Sequence, residues 1–194
     1  MKNILLIGRM ASGKSTIAKY LNAEGYVRFS CADWLKTTLD IHYGLDKYNK
    51  TDKFIINGVE YTKRTLYQVF GKEIIRSFDN EWHLDELISN INFNKELWTG
   101  YKYKNHKFVV DDVRFPNEII KLKEKFDCIT IKLECPENIR IARLIARDSG
   151  YCENDFNHVS ETNVDLLECD YVIDSSVSEK DIIKIVKQII KKEK

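Results

Sequence analysis

The sequence is short of the residues that mark several classes of protein. It has only two prolines and eight glycines in 194 residues, with no internal repeat or low-complexity segment, so a fibrous or disordered chain is excluded. The five cysteines include no CxxC pair, and this odd number argues against both a disulfide framework and a zinc knuckle. Reduced thiols and a cytoplasmic location are therefore expected.

Long apolar runs and an excess charge of one sign are also lacking. The four apolar residues at 4–7 are too few for a signal-peptide core, and no run reaches the length of a membrane helix. There are 31 Lys and Arg residues against 30 Asp and Glu, a net charge of +1. Neither a membrane nor a nucleic acid is therefore expected as a partner. The sequence leaves open whether the chain forms a homodimer.

The hydrophobic pattern alternates between short apolar runs and segments with helical spacing. Buried strands are predicted at Asn3–Ile7, Tyr26–Ser30, Lys107–Asp111, Cys128–Leu133 and Tyr171–Ile173. Helices are predicted at Lys14–Ala23, Leu66–Phe78, Asp85–Ile91 and Asn138–Arg147, and after Ser178. The stretch from Ile41 to Lys63 has no clear period and is predicted to be a loop or small insertion. This alternation predicts one α/β domain over residues 1–194, with a five-stranded parallel sheet and helices on both faces.

Residues 8–15 match the pattern G-x-x-x-x-G-K-[ST] between a predicted strand and a predicted helix. Glycines let such a loop turn its backbone amides toward phosphates, and the helix that follows adds a partial positive charge. Lys14 is expected to contact the β- and γ-phosphates of ATP, and Ser15 to hold Mg²⁺. The residues expected to bind the nucleotide are Gly8, Met10, Ala11, Ser12, Gly13, Lys14, Ser15 and Thr16.

An acidic pair ends the third predicted strand. A P-loop protein needs a carboxylate at such a strand end to assist Mg²⁺, and Asp111 and Asp112 both qualify. We take Asp112 as the candidate for metal binding and catalysis. The alternative for whichever aspartate is not used is a helix cap, and the sequence does not decide between the two.

Three arginines share one face of a predicted helix, because Arg140, Arg143 and Arg147 are spaced i, i+3 and i+7. In a P-loop protein they are expected to stabilise charge on a transferring phosphoryl group, with Arg143 and Arg147 catalytic and Arg140 binding the nucleotide. The alternative is a solvated basic face. A GTPase is excluded because no D-x-x-G turn occurs and the N-K-x-D at residues 49–52 comes too early in the chain.

The segment D-V-R-F-P-N-E at residues 112–118 resembles the D-V-R-F-x-x-E of phage-type deoxynucleoside monophosphate kinases, within the nucleoside monophosphate kinase group of P-loop proteins. Other segments follow in that family's order, and the resemblance spans nearly the whole chain. They are S-C-A-D-W-L-K at 30–36, Q-x-x-G-x-E-x-x-R at 68–76 with Trp82 downstream, H-V-S-E at 158–161 and the last strand at 170–174. The chain departs from the family pattern at Cys31, at Trp34 and over residues 41–63.

The resemblance implies transfer from ATP, with Mg²⁺, to a (deoxy)nucleoside monophosphate. It implies an acceptor-binding segment at 31–100 and a mobile lid at 138–160. Arg76 and Arg114 would hold the acceptor phosphate, and Arg114 would also be catalytic. Gln68 would contact the base or cap a turn. The other acceptor-binding residues that the resemblance implies are Asp33, Lys36, Glu73, Trp82, Glu118, Ser160 and Glu161.

Some of these roles have structural alternatives. Asp33 could instead cap the following helix. Trp82, like Trp34 and Phe70, could pack in a core rather than stack on a base. Glu161 would hold a lid arginine or lie exposed on a helix.

Residues alone predict a P-loop phosphotransferase, whereas the identity of the acceptor comes from the resemblance. Two alternatives stay open. One is a P-loop kinase of another small phosphorylated acceptor, of the phosphomevalonate type. The other is a nucleotide-dependent switch or ATPase that has no acceptor.

Overall fold

The computed structural model describes residues 2–45, 53–71, 81–99, 106–147 and 159–193. The chain divides into two compact units. The first unit contains residues 1–30 and 92–194, and the second contains residues 31–91.

The strands, in chain order, are β1 (Asn3–Ile7), β2 (Val27–Phe29), β3 (Lys53–Ile56), β4 (Val59–Thr62), β5 (Phe108–Val113), β6 (Cys128–Glu134) and β7 (Tyr171–Asp174). The helices are α1 (Lys14–Ala23), α2 (Asp33–Tyr43), α3 (Lys63–Val69), α4 (Trp82–Thr99), α5 (Pro116–Lys125), α6 (Glu137–Arg147), α7 (Val159–Thr162) and α8 (Glu179–Lys192). A 3₁₀ turn at Asn163–Leu166 follows α7. None of the helices in these described ranges is long and apolar enough to cross a membrane.

The first unit is built on a parallel sheet with the strand order β2-β5-β1-β6-β7. Its central strand β1 is buried along its whole length. Because all five strands run the same way, their carboxyl ends lie at one edge, where ligands bind in open α/β sheets. The five predicted strands and the α/β class are confirmed.

Helices α1 and α8 cover one face of this sheet. Ile17 and Leu21 of α1, together with Ile182 and Val186 of α8, pack in one buried cluster with alternate residues of β1 and β6. The four residues recur at helical spacing, which is why an amphipathic pattern predicted both helices. This packing fixes the start of α1, and with it the loop that precedes α1.

Residues 41–63, predicted to be a loop or small insertion, contain regular structure, so the loop alternative is wrong for the parts that are described. Helix α2 continues to Tyr43, and β3 and β4 form an antiparallel hairpin. Asn57 and Gly58 make its two-residue turn with φ angles of 49° and 79°. Asn-Gly is the preferred pair where both turn residues need positive φ, so this signal was present in the sequence. The strands are only four residues long, which is too short to show a clear alternation.

Several helix boundaries also differ from the predictions. Helix α4 is much longer than the predicted Asp85–Ile91. Helix α3 begins at Lys63, before the predicted Leu66–Phe78, and residues 72–80 lie outside the described ranges. Helix α5 was not predicted, although Pro116 at its first position is a favoured start.

Candidate active site

The loop between β1 and α1 has the shape that phosphate binding requires. A Cβ atom at Gly8 would lie 2.8 Å from the carbonyl oxygen of Leu133 and 2.5 Å from Ser12 Oγ, so any side chain there would clash. Gly13 has a φ of 102° and Ala11 a φ of 61°. Left-handed residues within such a loop turn successive amides toward one concave side, which forms an anion-binding nest.

This loop contains polar groups that no protein atom satisfies. The Ser12 side chain is fully buried, and within the described residues its Oγ has no hydrogen-bond partner. In the same part of the chain, no protein acceptor meets the amides of Ala11, Gly13, Lys14 or Ser15. A buried polar group such as Ser12 Oγ is normally paired, so this hydroxyl and the unpaired amides beside it indicate a site for an anionic ligand. The unpaired amides all belong to the residues that the motif predicted, which we call the cradle, and binding of a nucleotide by these residues stays a prediction.

The buried ammonium of Lys14 is bound to its own loop. Its Nζ donates to the carbonyl oxygens of Gly8, at 2.6 Å, and Arg9, at 2.9 Å. Burial, together with the nearby charge of Arg114, lowers the pKa of Lys14 to about 7, although the carboxylates of Glu161 and Asp112 oppose that shift. An anion arriving at the loop would relieve this penalty, because an opposite charge favours the protonated amine.

Two arginines of α6 donate hydrogen bonds to backbone carbonyl oxygens of the loop. Arg140 is buried and donates to the carbonyl oxygens of Cys135, at 3.2 Å, and Met10, at 3.5 Å. Arg143 donates to Ala11, at 3.4 Å, and to Ser175, at 2.7 Å. The side chain of Arg147 lies outside the described residues. The arginine face predicted from the spacing thus meets backbone carbonyl groups, and its contact with phosphates stays a prediction.

The two aspartates at the end of β5 have different partners. Asp111 is buried and accepts from two nitrogens of Arg28, at 2.7 and 3.0 Å. Asp112 is half-buried and accepts from Ser30 Oγ at 2.5 Å. The ion pair occupies both oxygens of Asp111. Asp112 is therefore the aspartate that better matches the predicted metal ligand.

The residues present fit a magnesium ion held mainly by a nucleotide. Ser15 offers an exposed hydroxyl at the start of α1, and Asp112 offers a carboxylate on the neighbouring strand. Among the described side chains, no group of three His, Cys, Asp or Glu residues could hold a metal ion by itself. Mg²⁺ typically takes one or two protein oxygens and completes its shell with phosphates and water.

Arg114 follows β5 directly and lies in a fixed backbone position. Glu118, buried in the first turn of α5, accepts from the amide of Arg114 at 2.7 Å and from that of Phe115 at 3.1 Å. The guanidinium of Arg114 pairs with Glu161. Glu118 therefore positions Arg114, whereas the acceptor contact that the resemblance implies for Glu118 stays a prediction.

Glu161 lies at the loop itself, which the sequence did not reveal. It is buried, and besides Arg114 it binds the amide of Met10, so neither sequence alternative, a lid arginine or an exposed position, describes it. A second carboxylate from the same segment, Asp165, pairs with Arg9 of the loop. The H-V-S-E segment marked Glu161 by resemblance, but no local pattern indicated that it reaches the loop.

The first unit also contains a cavity of about 740 Å³ beside the loop. Its lining includes Arg9, Lys132, Arg140 and Asp165. This volume falls within the range of small-molecule sites, so there is room for a ligand of nucleotide size next to the cradle.

The remaining predicted residues lie in the second unit or outside the described parts. Asp33 is the first residue of α2 and Ala32 takes the cap position, so the alternative that Asp33 is the cap is wrong. Lys36 lies one turn further along α2. Trp82 opens α4, and its ring stands nearly perpendicular to that of Trp34, with centroids 4.3 Å apart. Glu73, Arg76 and the side chains of Gln68 and Ser160 lie outside the described residues.

The second unit contains a buried polar cluster that the sequence analysis did not identify. Lys63 is 2% exposed, and its Nζ lies 2.9 Å from Asp40. The hydroxyl of Tyr67 donates to the same carboxylate at 2.5 Å, and burial raises the pKa of Tyr67 far above its ordinary value. The cluster ties α2 to α3.

Comparison with known proteins finds similarity to several kinases. No family model matches the chain. A dephospho-CoA kinase of Rickettsia typhi is 26% identical over 200 residues, covering 98% of this chain and 97% of that protein. The structure of a dephospho-CoA kinase from Campylobacter jejuni matches with a TM-score of 0.53 at 16% identity, covering 99% of this chain and 98% of that one. A shikimate kinase from Aquifex aeolicus matches with a TM-score of 0.50 at 14% identity, covering 98% and 97%.

The chain has the P-loop kinase fold. The relatives support an ATP-dependent phosphotransferase that acts on a small substrate, with Mg²⁺ as the accompanying ion. The predicted P-loop, ATP and magnesium agree with this. A nucleoside monophosphate acceptor and a phage-type kinase go beyond these comparisons.

Proposed function

We propose that this chain transfers the γ-phosphoryl group of ATP to the phosphate of a (deoxy)nucleoside monophosphate. Arg114 is the observation that carries the proposal. The guanidinium of Arg114, which pairs with Glu161, is a second cation near the loop, and its charge lowers the pKa of Lys14. Arg114 belongs to the segment whose sequence resembles that family. The loop amides and Lys14 already suit the donor phosphates. A further guanidinium at the neighbouring strand end suits an acceptor that brings a phosphate of its own.

The donor half of the reaction needs little beyond the loop. Its unpaired amides would bind the β- and γ-phosphates, and Lys14 would turn from its loop carbonyls toward them. Ser15 and Asp112 would hold the magnesium ion, which supplies charge neutralisation on those phosphates when bound. Arg140 and Arg143 would keep the loop in shape from outside, through their bonds to Met10 and Ala11.

The acceptor half needs alignment more than proton removal. A phosphate monoester has a second pKa near 6, so at neutral pH its oxygen is already an anionic nucleophile. No general base is then required, and Asp112, which accepts from Ser30, is proposed to serve the metal. Arg114 would hold the acceptor phosphate in line with the γ-phosphoryl group, and its backbone is fixed for this by Glu118.

The other roles that the resemblance implies are proposed as well. Arg76, Gln68, Glu73, Asp33, Lys36 and Trp82 are proposed to bind the acceptor, and residues 138–160 to form the lid. Residues 148–158 of that lid lie outside the described part. A cytoplasmic location also stays a prediction, and a homodimer stays the open alternative that the sequence left.

A second candidate acceptor is dephospho-CoA. Kinases of that name are the curated relatives, and the alignment with the Rickettsia typhi protein covers 98% of this chain. At 26% identity the relationship leaves the acceptor open. A shikimate kinase of the same fold shows that acceptors differ widely among these proteins.

A coupled assay of ADP release distinguishes the candidates. The full chain is given excess Mg²⁺-ATP and, in turn, four deoxynucleoside monophosphates, four ribonucleoside monophosphates and dephospho-CoA. We expect turnover with at least one monophosphate, and none from Lys14→Ala in the same preparation. Turnover with dephospho-CoA alone would replace the proposed acceptor. ADP release that no acceptor accelerates would refute acceptor transfer and favour an ATPase or switch.

A further inference from the structure

We propose that the carboxylate of Glu161 is an internal anion that holds the Met10 amide and Arg114 beside the phosphate cradle of the ligand-free protein and is displaced when phosphates bind. Glu161 is thus a positioning residue for Arg114, and a competitor of the nucleotide. The inference rests on the proposed function only in requiring that the loop bind phosphates, and it holds for any acceptor.

Each oxygen of Glu161 has its own cationic or amide donor. Oε2 accepts from the Met10 amide at 2.6 Å, and Oε1 pairs with Nη1 of Arg114. The residue is only 5% exposed. A buried carboxylate is costly unless it is paired and hydrogen-bonded, and here both conditions are met by the cradle itself.

These donors are the ones that a phosphate would use. Met10 belongs to the loop at residues 8–15, and Arg114 is the cation proposed for the acceptor. The negative charge of Glu161 also acts on Lys14, whose pKa it raises against the effect of burial. A carboxylate therefore stands where one amide and two cations, Arg114 and Lys14, converge, and that arrangement suits a phosphoryl oxygen.

The segment that carries Glu161 is held at the loop by a second, independent connection. Asp165, one turn further along, pairs with Arg9, and this ion pair lowers the pKa of Asp165. Lys132 Nζ donates to the carbonyl oxygen of Asp165 at 3.1 Å. Glu161 is thus presented to the cradle by an anchored piece of chain, so its occupancy of the site does not depend on the Met10 contact alone.

Occupancy by Glu161 and by phosphate exclude each other. Met10 is one of the residues predicted to bind the nucleotide, and a phosphate that uses its amide cannot share that hydrogen with Glu161. Two anions that meet the same cations also repel. Binding of the donor must therefore displace Glu161, which ends the contact of that carboxylate with Nη1 of Arg114 and lets a phosphate take its place there. The apparent association constant for the nucleotide is then the intrinsic constant multiplied by the fraction of molecules in which Glu161 has already left.

The test measures the binding of ADP and of inorganic pyrophosphate by isothermal titration calorimetry. Glu161→Gln keeps the size of the side chain but removes the charge. Glu161→Asp keeps the charge but shortens the reach. The control is Glu168→Gln, which makes the same change of charge at an exposed position of the same segment.

If Glu161 fills the site in about nine of ten molecules or more, Glu161→Gln should bind pyrophosphate about 10-fold tighter or better. Glu161→Asp should also bind more tightly than the unchanged protein, and Glu168→Gln should stay within about twofold of it. Binding of pyrophosphate by Glu161→Gln that is unchanged or weaker refutes the inference. Should that variant fail to fold, Glu161→Asp decides the question by the same criterion.

These outcomes are separate from those of the acceptor assay. Pyrophosphate contains no base or acceptor, so its affinity does not depend on which small molecule receives the phosphoryl group. A tighter Glu161→Gln combined with no turnover on any monophosphate would support the internal anion and reject the proposed acceptor. Turnover on a monophosphate, combined with unchanged or weaker pyrophosphate binding by Glu161→Gln, would support the proposed acceptor and reject the internal anion.

Discussion

The low pKa of Lys14 makes nucleotide binding depend on pH above neutrality. In the free protein this pKa is about 7 because the ammonium is buried near Arg114. Bound phosphates add negative charge next to the amine, so its pKa in the complex should return toward the ordinary value of 10.5. Binding must then be accompanied by uptake of a proton wherever free Lys14 is neutral.

The size of the effect follows from these two values. Since the fraction of protonated Lys14 falls tenfold for each pH unit well above its pKa, the dissociation constant of ADP should rise about 50-fold between pH 7 and pH 9. At pH 8, about nine-tenths of a proton should be taken up for each ADP bound. Calorimetric titrations in buffers of different ionisation enthalpy measure both quantities. The control is Lys14→Met, which should bind more weakly at pH 7 but show no such slope.

A flat affinity from pH 7 to pH 9, without proton uptake, would refute this reasoning, because Lys14 would then be charged throughout. The same shift has a consequence for stability with a definite sign. Between pH 7 and 10.5 the unfolded chain holds more protons at Lys14 than the folded chain, so this residue's contribution to the free energy of unfolding rises with pH across that window. The free energy of unfolding of the unchanged protein, minus that of Lys14→Met, should therefore increase as pH rises.

Three further predictions concern single positions. Gly8→Ala should lower the free energy of unfolding by about 1–3 kcal/mol, measured by thermal melts, because its Cβ would meet the Leu133 carbonyl at 2.8 Å; an unchanged melting temperature would contradict the close approach. Arg114→Lys keeps the charge but loses the planar fork, so KM for the acceptor should rise and kcat should fall together, and a change in neither would contradict the acceptor role. Asp112→Asn should reduce kcat with little change in melting temperature, whereas Asp111→Asn should lower the melting temperature because it removes the buried carboxylate that pairs with Arg28. Equal effects on both measurements would show that the two aspartates do not divide their roles.

The parts of the fold that could be predicted are those specified by neighbouring residues. Strand β1, the loop and helix α1 follow one another without a break, and the spacing of glycines, Lys14 and apolar residues determines all three. The five strands of the sheet were also predictable, because each is a short, strongly apolar run. The hairpin at Asn57–Gly58 was missed although its turn pair is a local signal, since its strands are too short to alternate visibly.

The parts of the site that could not be predicted depend on contacts between distant residues. The two aspartates of β5 look alike in sequence, and only the positions of Arg28 and Ser30 on the neighbouring strand and its end distinguish them. Similarly, the spacing of Arg140 and Arg143 predicted one face but not what that face meets. In the structure it meets carbonyl oxygens of the loop, more than 120 residues earlier in the chain.

The charge balance of the cradle explains why acidic residues of a late segment matter to an early motif. Unpaired amides, Lys14 and Arg114 bring positive charge together at the loop, which is unfavourable when no phosphate is bound. The pKa of Lys14 is lowered by burial and, in addition, by the charge of Arg114. Glu161 and Asp165 offset this charge from a segment about 150 residues away in sequence. A cradle with no internal anion would bind phosphates more tightly but would be less stable when empty. Substituting Glu161 should therefore tighten phosphate binding and lower the stability of the ligand-free protein together, because both effects come from the same two contacts.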